Sequence, residues 1–307
     1  MRVLFAGTPS VAIPSLEALL AAGFDVVGVL TRPDAPVGRK RLLTPSPVAL
    51  RAAELGLPVL KPAKLDDAAQ AEIAALSPEV AAIVAYGALI PARALSIPQH
   101  GWINLHFSLL PAWRGAAPVQ HAVINGDEFT GASTFQLEAG LDTGPVFGTL
   151  TELIRPEDTS SILLERLSRS GAALLSQTLS AIAAGNALAV PQSGQVSLAP
   201  KLTLQDGRID FQQPALAISR RIRGVTGEPG AWTLLAGQRF KLGPVGLRPD
   251  QRNLAPGELA VLSGKTVLVG TGSHAVQLKL VQPSGKKMMA AADWVRGLPS
   301  AEGMRFE

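Results

Sequence analysis

The stretch Gly101-Trp102-Ile103-Asn104-Leu105-His106-Phe107-Ser108-Leu109-Leu110-Pro111 joins a run of strand-forming residues to two polar side chains that such a run does not need. Residues 102–106 read as a β-strand. Asn104 and His106 lie two positions apart on it, so their side chains project to the same face. They also lie at its C-terminal end, where open α/β sheets bind ligands. An amide beside an imidazole can hold a developing oxyanion and move a proton. A polar pair that merely finishes a strand edge is the competing reading.

Outward from this strand the chain alternates. Short apolar runs at 2–6, 25–31, 58–60, 80–85 and 132–137 read as further strands, nearly continuous in apolar character as where both faces of a parallel sheet are covered. Helical patterns fill the intervals at 11–22, 49–55, 66–76 and 117–125, and a longer one spans 160–184, opened by Asp158-Thr159-Ser160 and stopped by Gly185. Such alternation implies an open, mostly parallel α/β sheet with right-handed crossovers. Residues 186–207 are rich in Asn, Pro, Gln, Ser and Gly and read as a linker. Beyond it, short strands at 232–235, 240–242, 261–262, 266–269 and 275–281, with a helix at 215–223, suggest a small barrel or sandwich. The expected organisation is a first domain over 1–185, a linker over 186–207 and a second domain over 208–307.

Composition narrows the function classes. A chain of 307 residues suits two domains, and 47% hydrophobic against 17% charged residues excludes a disordered polymer. Without cysteine there is no disulfide scaffold, thiolate zinc site or cysteine nucleophile, and four scattered histidines do not suggest a metal cage, so no metal is expected. The most apolar stretch, 80–92, is too short to span a bilayer and contains Gly87 and Pro91. No leader-like segment precedes the first strand, so the expected location is intracellular, in the cytoplasm. Residues 1–204 carry 14 basic and 16 acidic side chains, net −2, whereas residues 205–307 carry 14 and 8, net +6. A basic second module suggests a polyanionic partner, with a solvated basic face as the alternative.

Gly7-Thr8-Pro9 stands where a dinucleotide enzyme carries its glycine fingerprint, and the second strand ends Thr31-Arg32 without an acidic residue, which disfavours a nicotinamide dehydrogenase. Gly7 reads as a tight strand-to-helix turn. Gly140-Leu141-Asp142-Thr143-Gly144 puts a carboxylate on a glycine-flanked loop, able to orient His106, raise its pKa or relay a proton, or serving only as a turn residue. Ser108 lies near His106 without a nucleophile elbow, so a triad hydrolase is a weak alternative. Arg39, Lys40 and Arg41 occupy a Pro- and Gly-punctuated segment that reads as a flexible basic finger for phosphates or a plain solvated loop. Further basic residues occur at Arg220-Arg221-Ile222-Arg223 and at Lys286-Lys287.

Asn104-Leu105-His106, Ser108-Leu109-Leu110-Pro111, Trp113-Arg114-Gly115-Ala116-Ala117-Pro118 and Gly140-Leu141-Asp142-Thr143-Gly144 resemble the folate-dependent formyltransferases. The likeness continues through Phe5-Ala6-Gly7-Thr8-Pro9, Pro45-Ser46-Pro47, Ala85-Tyr86-Gly87 and Ala199-Pro200-Lys201. It then runs through Asp206-Gly207-Arg208-Ile209-Asp210, Arg223-Gly224, Pro229-Gly230-Ala231, Gly285-Lys286-Lys287 and Ala291-Ala292-Asp293, nearly the whole chain in the family's order. The resemblance implies a Rossmann-like formyltransferase fold followed by a small OB-like β-barrel. It implies transfer of the formyl group of 10-formyltetrahydrofolate to the α-amine of methionine esterified to initiator tRNA, with neither a metal nor a covalent enzyme intermediate. In that scheme Asn104 and His106 stabilise the oxyanion, and Asp142 fixes the imidazole and helps to pass the proton. Ser108, Leu109, Leu110 and Pro111 line the folate site with Tyr86 and Gly87 nearby. Arg39, Lys40 and Arg41 enter the acceptor end of the tRNA, and the barrel grips the acceptor arm electrostatically. No obligatory protein partner or membrane is implied.

Phe107 stands where the family usually has a small residue, so a narrowed folate pocket is expected. Ala112 replaces a common basic residue, and Glu138 replaces an aspartate. The alternatives are a folate-dependent formyltransferase acting on a nucleotide amine or amino sugar, and a non-catalytic RNA-binding protein built on a decayed enzyme.

Overall fold

The computed structural model describes all residues except Arg39, Ser263, Gly264, Pro299 and Ala301. Seven strands form one sheet: β1 (Arg2–Gly7), β2 (Asp25–Leu30), β3 (Val59–Leu60), β4 (Val80–Val84), β5 (Trp102–His106), β6 (Phe129–Gln136) and β7 (Val146–Leu153). They lie in the order β7-β6-β5-β4-β1-β2-β3. From β5 through β3 every neighbouring pair is parallel. β6 runs antiparallel to β5, and β7 antiparallel to β6. The expected mostly parallel α/β sheet is therefore present, with an antiparallel pair at one edge.

The apolar runs explain the central strands. Val3, Leu4, Phe5 and Ala6 of β1 are completely buried, as are Val80, Ala81, Ala82 and Val84 of β4. Each side chain of Val, Leu or Phe size so buried contributes about 1.5–3 kcal/mol. Edge strand β7 has no such run. Its residues alternate between half-buried and exposed, and the mixed composition gives no strand signal.

Between the strands, helices Ile13–Ala21, Pro47–Glu54 and Asp67–Ala75 occupy the expected stretches. The second starts where Ser46 Oγ accepts from Ala49 N at 3.0 Å, and the third where Asp66 Oδ1 accepts from Ala69 N at 3.0 Å. At Gly7 a Cβ would stand 2.8 Å from the Ala12 Cβ and 3.1 Å from the Val84 carbonyl oxygen, so a close strand-to-helix turn accounts for that glycine. The sheet's order of connection reverses between β1 and β4. The loops that leave the C-terminal ends of β1, β4 and β5 are therefore neighbours, and that is where such sheets take ligands.

By internal contacts the chain divides into two units, one of residues 1–115, 129–153 and 164–198, the other of residues 116–128, 154–163 and 199–307. In the second, helices Pro118–Asn125 and Ala215–Gly224 pack closely at Gly224, where a Cβ would stand 2.4 Å from Ile124 Cγ1. Among its described residues it also holds two four-stranded sheets. One is formed by Ala231–Leu235, Gln238–Leu242, Leu280–Gln282 and Met289–Ala290, the other by Gly246–Arg248, Ala275–Leu278, Thr266–Val269 and Leu259–Leu262. All their pairings are antiparallel. The single strand expected over 275–281 is two, and the chain passes from one sheet to the other at Lys279. Phe211, Phe240, Trp294 and Phe306 lie in the core between them, with Phe211 and Phe306 stacked 5.5 Å apart.

Candidate active site

β5 has the predicted bounds and brings Asn104 and His106 to one face of the sheet. His106 is buried, with the buried Phe135 ring edge-on at 6.4 Å between centroids. Its Nε2 donates to the Trp113 carbonyl at 2.9 Å. That acceptor has no proton, so the bond fixes the neutral ring as the Nε2–H tautomer and leaves the lone pair on Nδ1. Asp142 Oδ2 faces Nδ1 at 3.7 Å, too far for a hydrogen bond. Burial pushes the imidazole pKa below its usual 6.5, against the Asp142 carboxylate and the Trp113 carbonyl, which both favour the charged form. The resting ring is a neutral base with its open nitrogen toward a carboxylate. The expectation that Asp142 raises the His106 pKa holds for that one influence; burial outweighs it.

Asp142 is buried, and its Oδ2 accepts from Gly115 N at 2.7 Å. Its backbone is left-handed (φ 50), as is that of Trp113 (φ 58), conformations in which an L-residue is strained by about 1–2 kcal/mol. Gly144 explains the end of the glycine-flanked loop: a Cβ there would stand 1.8 Å from the Gln136 carbonyl oxygen. Asn104 is half-buried, and among the described residues no hydrogen bond engages its carboxamide. Asn104 and His106 thus share one face of β5 and Asp142 faces His106, so the three offer an uncommitted amide donor, a base and a carboxylate.

The other expected site residues divide. Leu109 and Leu110 are half-buried beside the site strand and Pro111 is buried. Ser108 is fully buried, and its Oγ donates to the Ala112 carbonyl at 2.6 Å, which removes it as a hydrolase nucleophile and commits its hydroxyl proton to the main chain. Tyr86 follows β4, but its ring is buried in the core with Leu4, Leu30, Ile73 and Trp102. Gly87 is exposed with φ 83.

Phe107 does not narrow the pocket. With Leu105 it occupies the opposite face, against helix Ser160–Ala183, and a Cβ on Gly171 of that helix would stand 3.5 Å from its ring. Strand alternation puts Leu105 on the face away from His106, and Phe107 meets the same helix glycine as Leu105.

The basic segment is a hairpin rather than an open loop, Ala35–Val37 pairing with Leu42–Thr44. Lys40 and Arg41 are exposed at its turn, and Arg39 lies outside the described residues. Val37, Leu42 and Leu43 are exposed beside them. The Arg220-Arg221-Ile222-Arg223 patch is not a free basic face: Arg221 donates to the Asp206 carbonyl at 3.2 Å and Arg223 to the Asp158 carbonyl at 2.8 Å. Lys286 and Lys287 are exposed, next to a groove lined by Trp232, Arg239 and Lys241, and the Arg239 guanidinium lies over the Trp232 ring at 4.7 Å.

Residues that the sequence did not single out also build the site. Ser197 Oγ accepts from Trp113 N at 2.8 Å, and the Ser197 carbonyl accepts from Arg114 N at 2.9 Å. Gln192 Nε2 donates to the carbonyls of Asp142 (2.7 Å) and Gly144 (2.9 Å), while its Oε1 accepts from Arg114 Nε and Nη2 at 3.1 and 2.6 Å. Both lie in the stretch whose composition reads as a linker. Its polar side chains serve as partners for distant loops, a use that leaves no local pattern.

Known proteins supply an independent comparison. The formyl transferase family matches residues 1–179, and the C-terminal domain of formyl transferases matches residues 201–299. The chain is 74% identical over 306 residues to the methionyl-tRNA formyltransferase of Renibacterium salmoninarum, covering 100% of this chain and 99% of that one. An N-formyltransferase from Helicobacter canadensis, solved with folinic acid and dTDP-3-aminofucose, superposes with a TM-score of 0.70 at 17% identity, over 92% of this chain and 99% of that one. The methionyl-tRNA formyltransferase from Clostridium thermocellum does so with a TM-score of 0.59 at 15% identity, over 81% and 94%. At those identities the two structures speak for the fold.

Proposed function

The chain belongs to the formyl transferase family, and from that premise we propose that Asn104, His106 and Asp142 carry its reaction. The protein is an enzyme that transfers the formyl group of 10-formyltetrahydrofolate to the amino group of methionyl-tRNA. Initiator tRNA is its acceptor in our reading, and the cytoplasm its location. Among the described residues no helix is long and apolar enough to cross a membrane. The catalytic module is taken as 1–185, joined through 186–207 to a tRNA-binding module at 208–307; the two family matches, over 1–179 and 201–299, support two modules.

The formyl donor supplies an activated acyl carbon whose oxygen gains negative charge as the amine attacks. The uncommitted carboxamide of Asn104 fits that need, since its Nδ2–H donates to the developing charge. His106 has its own N–H tied to Trp113, so its function is at Nδ1, which takes the proton shed by the attacking amine. Asp142, 3.7 Å away, stabilises the imidazolium so formed. The same proton then passes to the folate nitrogen that leaves, and the ring returns to its neutral state. Leu109, Leu110, Pro111 and the backbone at Tyr86 and Gly87 are the candidates to hold the folate, with Ser108 contributing to the turn rather than by its hydroxyl. The observation that carries this reading is the meeting of a free amide, a neutral imidazole and a carboxylate at the C-terminal end of β5.

The decisive assay compares charged initiator tRNA, charged elongator tRNA and a small nucleotide amine as acceptors. Formylation confined to the initiator is expected, and preference for the nucleotide amine would move the protein to another branch of the family. The tautomer is testable in the free protein. Nitrogen NMR of the imidazoles, with the His106→Ala variant for assignment, is expected to show His106 neutral at pH 7 with its proton on Nε2, titrating below pH 6.5. A proton on Nδ1 at pH 7 would contradict the proton route.

Lys40 and Arg41 are proposed to meet tRNA phosphates, together with Arg39. The K40A/R41A variant should bind tRNA more weakly at low salt, and the slope of log affinity against log salt should fall by about one for each phosphate no longer neutralised. Its KM for the folate substrate should not move. An unchanged salt slope counts against the hairpin's role.

A further inference from the structure

We propose that Gln192, held by Arg114, is a positioning residue that sets Asp142 against His106. The inference rests on the catalytic reading above. A carboxamide has two N–H groups and one oxygen with two lone pairs. At Gln192 all of that capacity is spent on three residues: the carbonyls of Asp142 and Gly144 on one side, and both arms of the Arg114 fork on the other. Exchanging the amide nitrogen and oxygen would oppose four like partners at once, so the orientation is unambiguous.

The two groups that Gln192 ties together are the two that control His106. Arg114 lies between Trp113, whose carbonyl fixes the ring's tautomer, and Gly115, whose N–H holds the Asp142 carboxylate at 2.7 Å. Asp142 itself lies on the loop that Gln192 holds, through the carbonyls of Asp142 and Gly144. Both loops contain left-handed residues, Trp113 and Asp142, and such conformations persist where the surroundings impose them. Gln192 and Ser197 impose them here from outside, across at least 48 residues of sequence at each hydrogen bond. Freed of the clamp, the loop can relax its backbone at residue 142 and carry the carboxylate away from Nδ1. A misplacement of about 1 Å at a catalytic group costs about 10²-fold in rate.

The test is steady-state kinetics of Gln192→Ala and Gln192→Glu, alone and combined with Asp142→Asn. Glutamate keeps the volume and the pairing with Arg114 but turns an oxygen toward the two loop carbonyls. Both single variants are expected to lower kcat by about 10²-fold, with KM for tRNA and for the folate each within about threefold of wild type. In the Asp142→Asn background, Gln192→Ala should add less than about threefold, because the group it positions is already gone. A Gln192→Glu enzyme with wild-type kcat would overturn the proposal, as would an equal loss from Gln192→Ala in both backgrounds, which marks general destabilisation. If Asp142→Asn alone leaves kcat intact, the catalytic reading fails and takes this one with it. A damaging Asp142→Asn with a harmless Gln192→Ala refutes only the positioning role.

Discussion

His106→Ala is expected to lower kcat by about 10²–10⁴-fold, the range that a positioned proton-transfer group supplies, while tRNA affinity changes little. The separation of the two effects follows from placement. His106 is buried against Phe135 and the Trp113 carbonyl, with little exposed surface to offer a polyanion, and its role begins only as the amine attacks. Loss of turnover should therefore appear in kcat and kcat/KM together, the pattern of an interaction made in the transition state. Single-turnover formylation with saturating tRNA, beside a direct binding measurement, checks both halves. A variant that loses tRNA binding in proportion to turnover would place the residue on the RNA surface instead.

Asn104→Ala has the second largest expected effect, about 10²–10³-fold in kcat, as when one oxyanion donor is removed elsewhere. Leucine at the same position is the sharper comparison, because it keeps the bulk and removes only the polar atoms. Since no protein group among those described engages the carboxamide, neither change orphans a partner, and the melting temperature should move little. Asn104→Leu with near-normal kcat would show that the developing charge is met by another donor. A double variant with His106→Ala is expected to lose less than the product of the single losses if the two act on one transition state.

What could be read from the sequence was what repeats locally. The strand at residues 102–106 is legible to its end residues because Trp102, Ile103 and Leu105 supply its apolar run and the polar site pair obeys its two-residue period. Asp142 stood out through its flanking glycines, and Gly144 proves to have a steric reason, the Gln136 carbonyl where its Cβ would be. The hairpin at Ala35–Thr44 was hidden by Pro36 and Gly38, which punctuate loops and tight turns alike. Gln192 and Ser197 were out of reach for a different reason. A glutamine in polar chain looks like any other until the fold brings it to a carbonyl some 50 residues away. Tyr86 shows the converse, a motif residue whose ring the fold uses as core. Phe107, which looked like an obstacle in the pocket, lies on the far side of the strand.

The hydrogen bond that selects the His106 tautomer ends on main chain, at the carbonyl of Trp113. A survey that replaces side chains one by one passes over such a group, since every residue placed at position 113 still presents an oxygen. Any substitute that tolerates the left-handed backbone of residue 113 keeps that carbonyl, and with it the tautomer of the imidazole. The electronic setting of the base is thus a property of the loop's path, robust to changes of letter and vulnerable to changes of length.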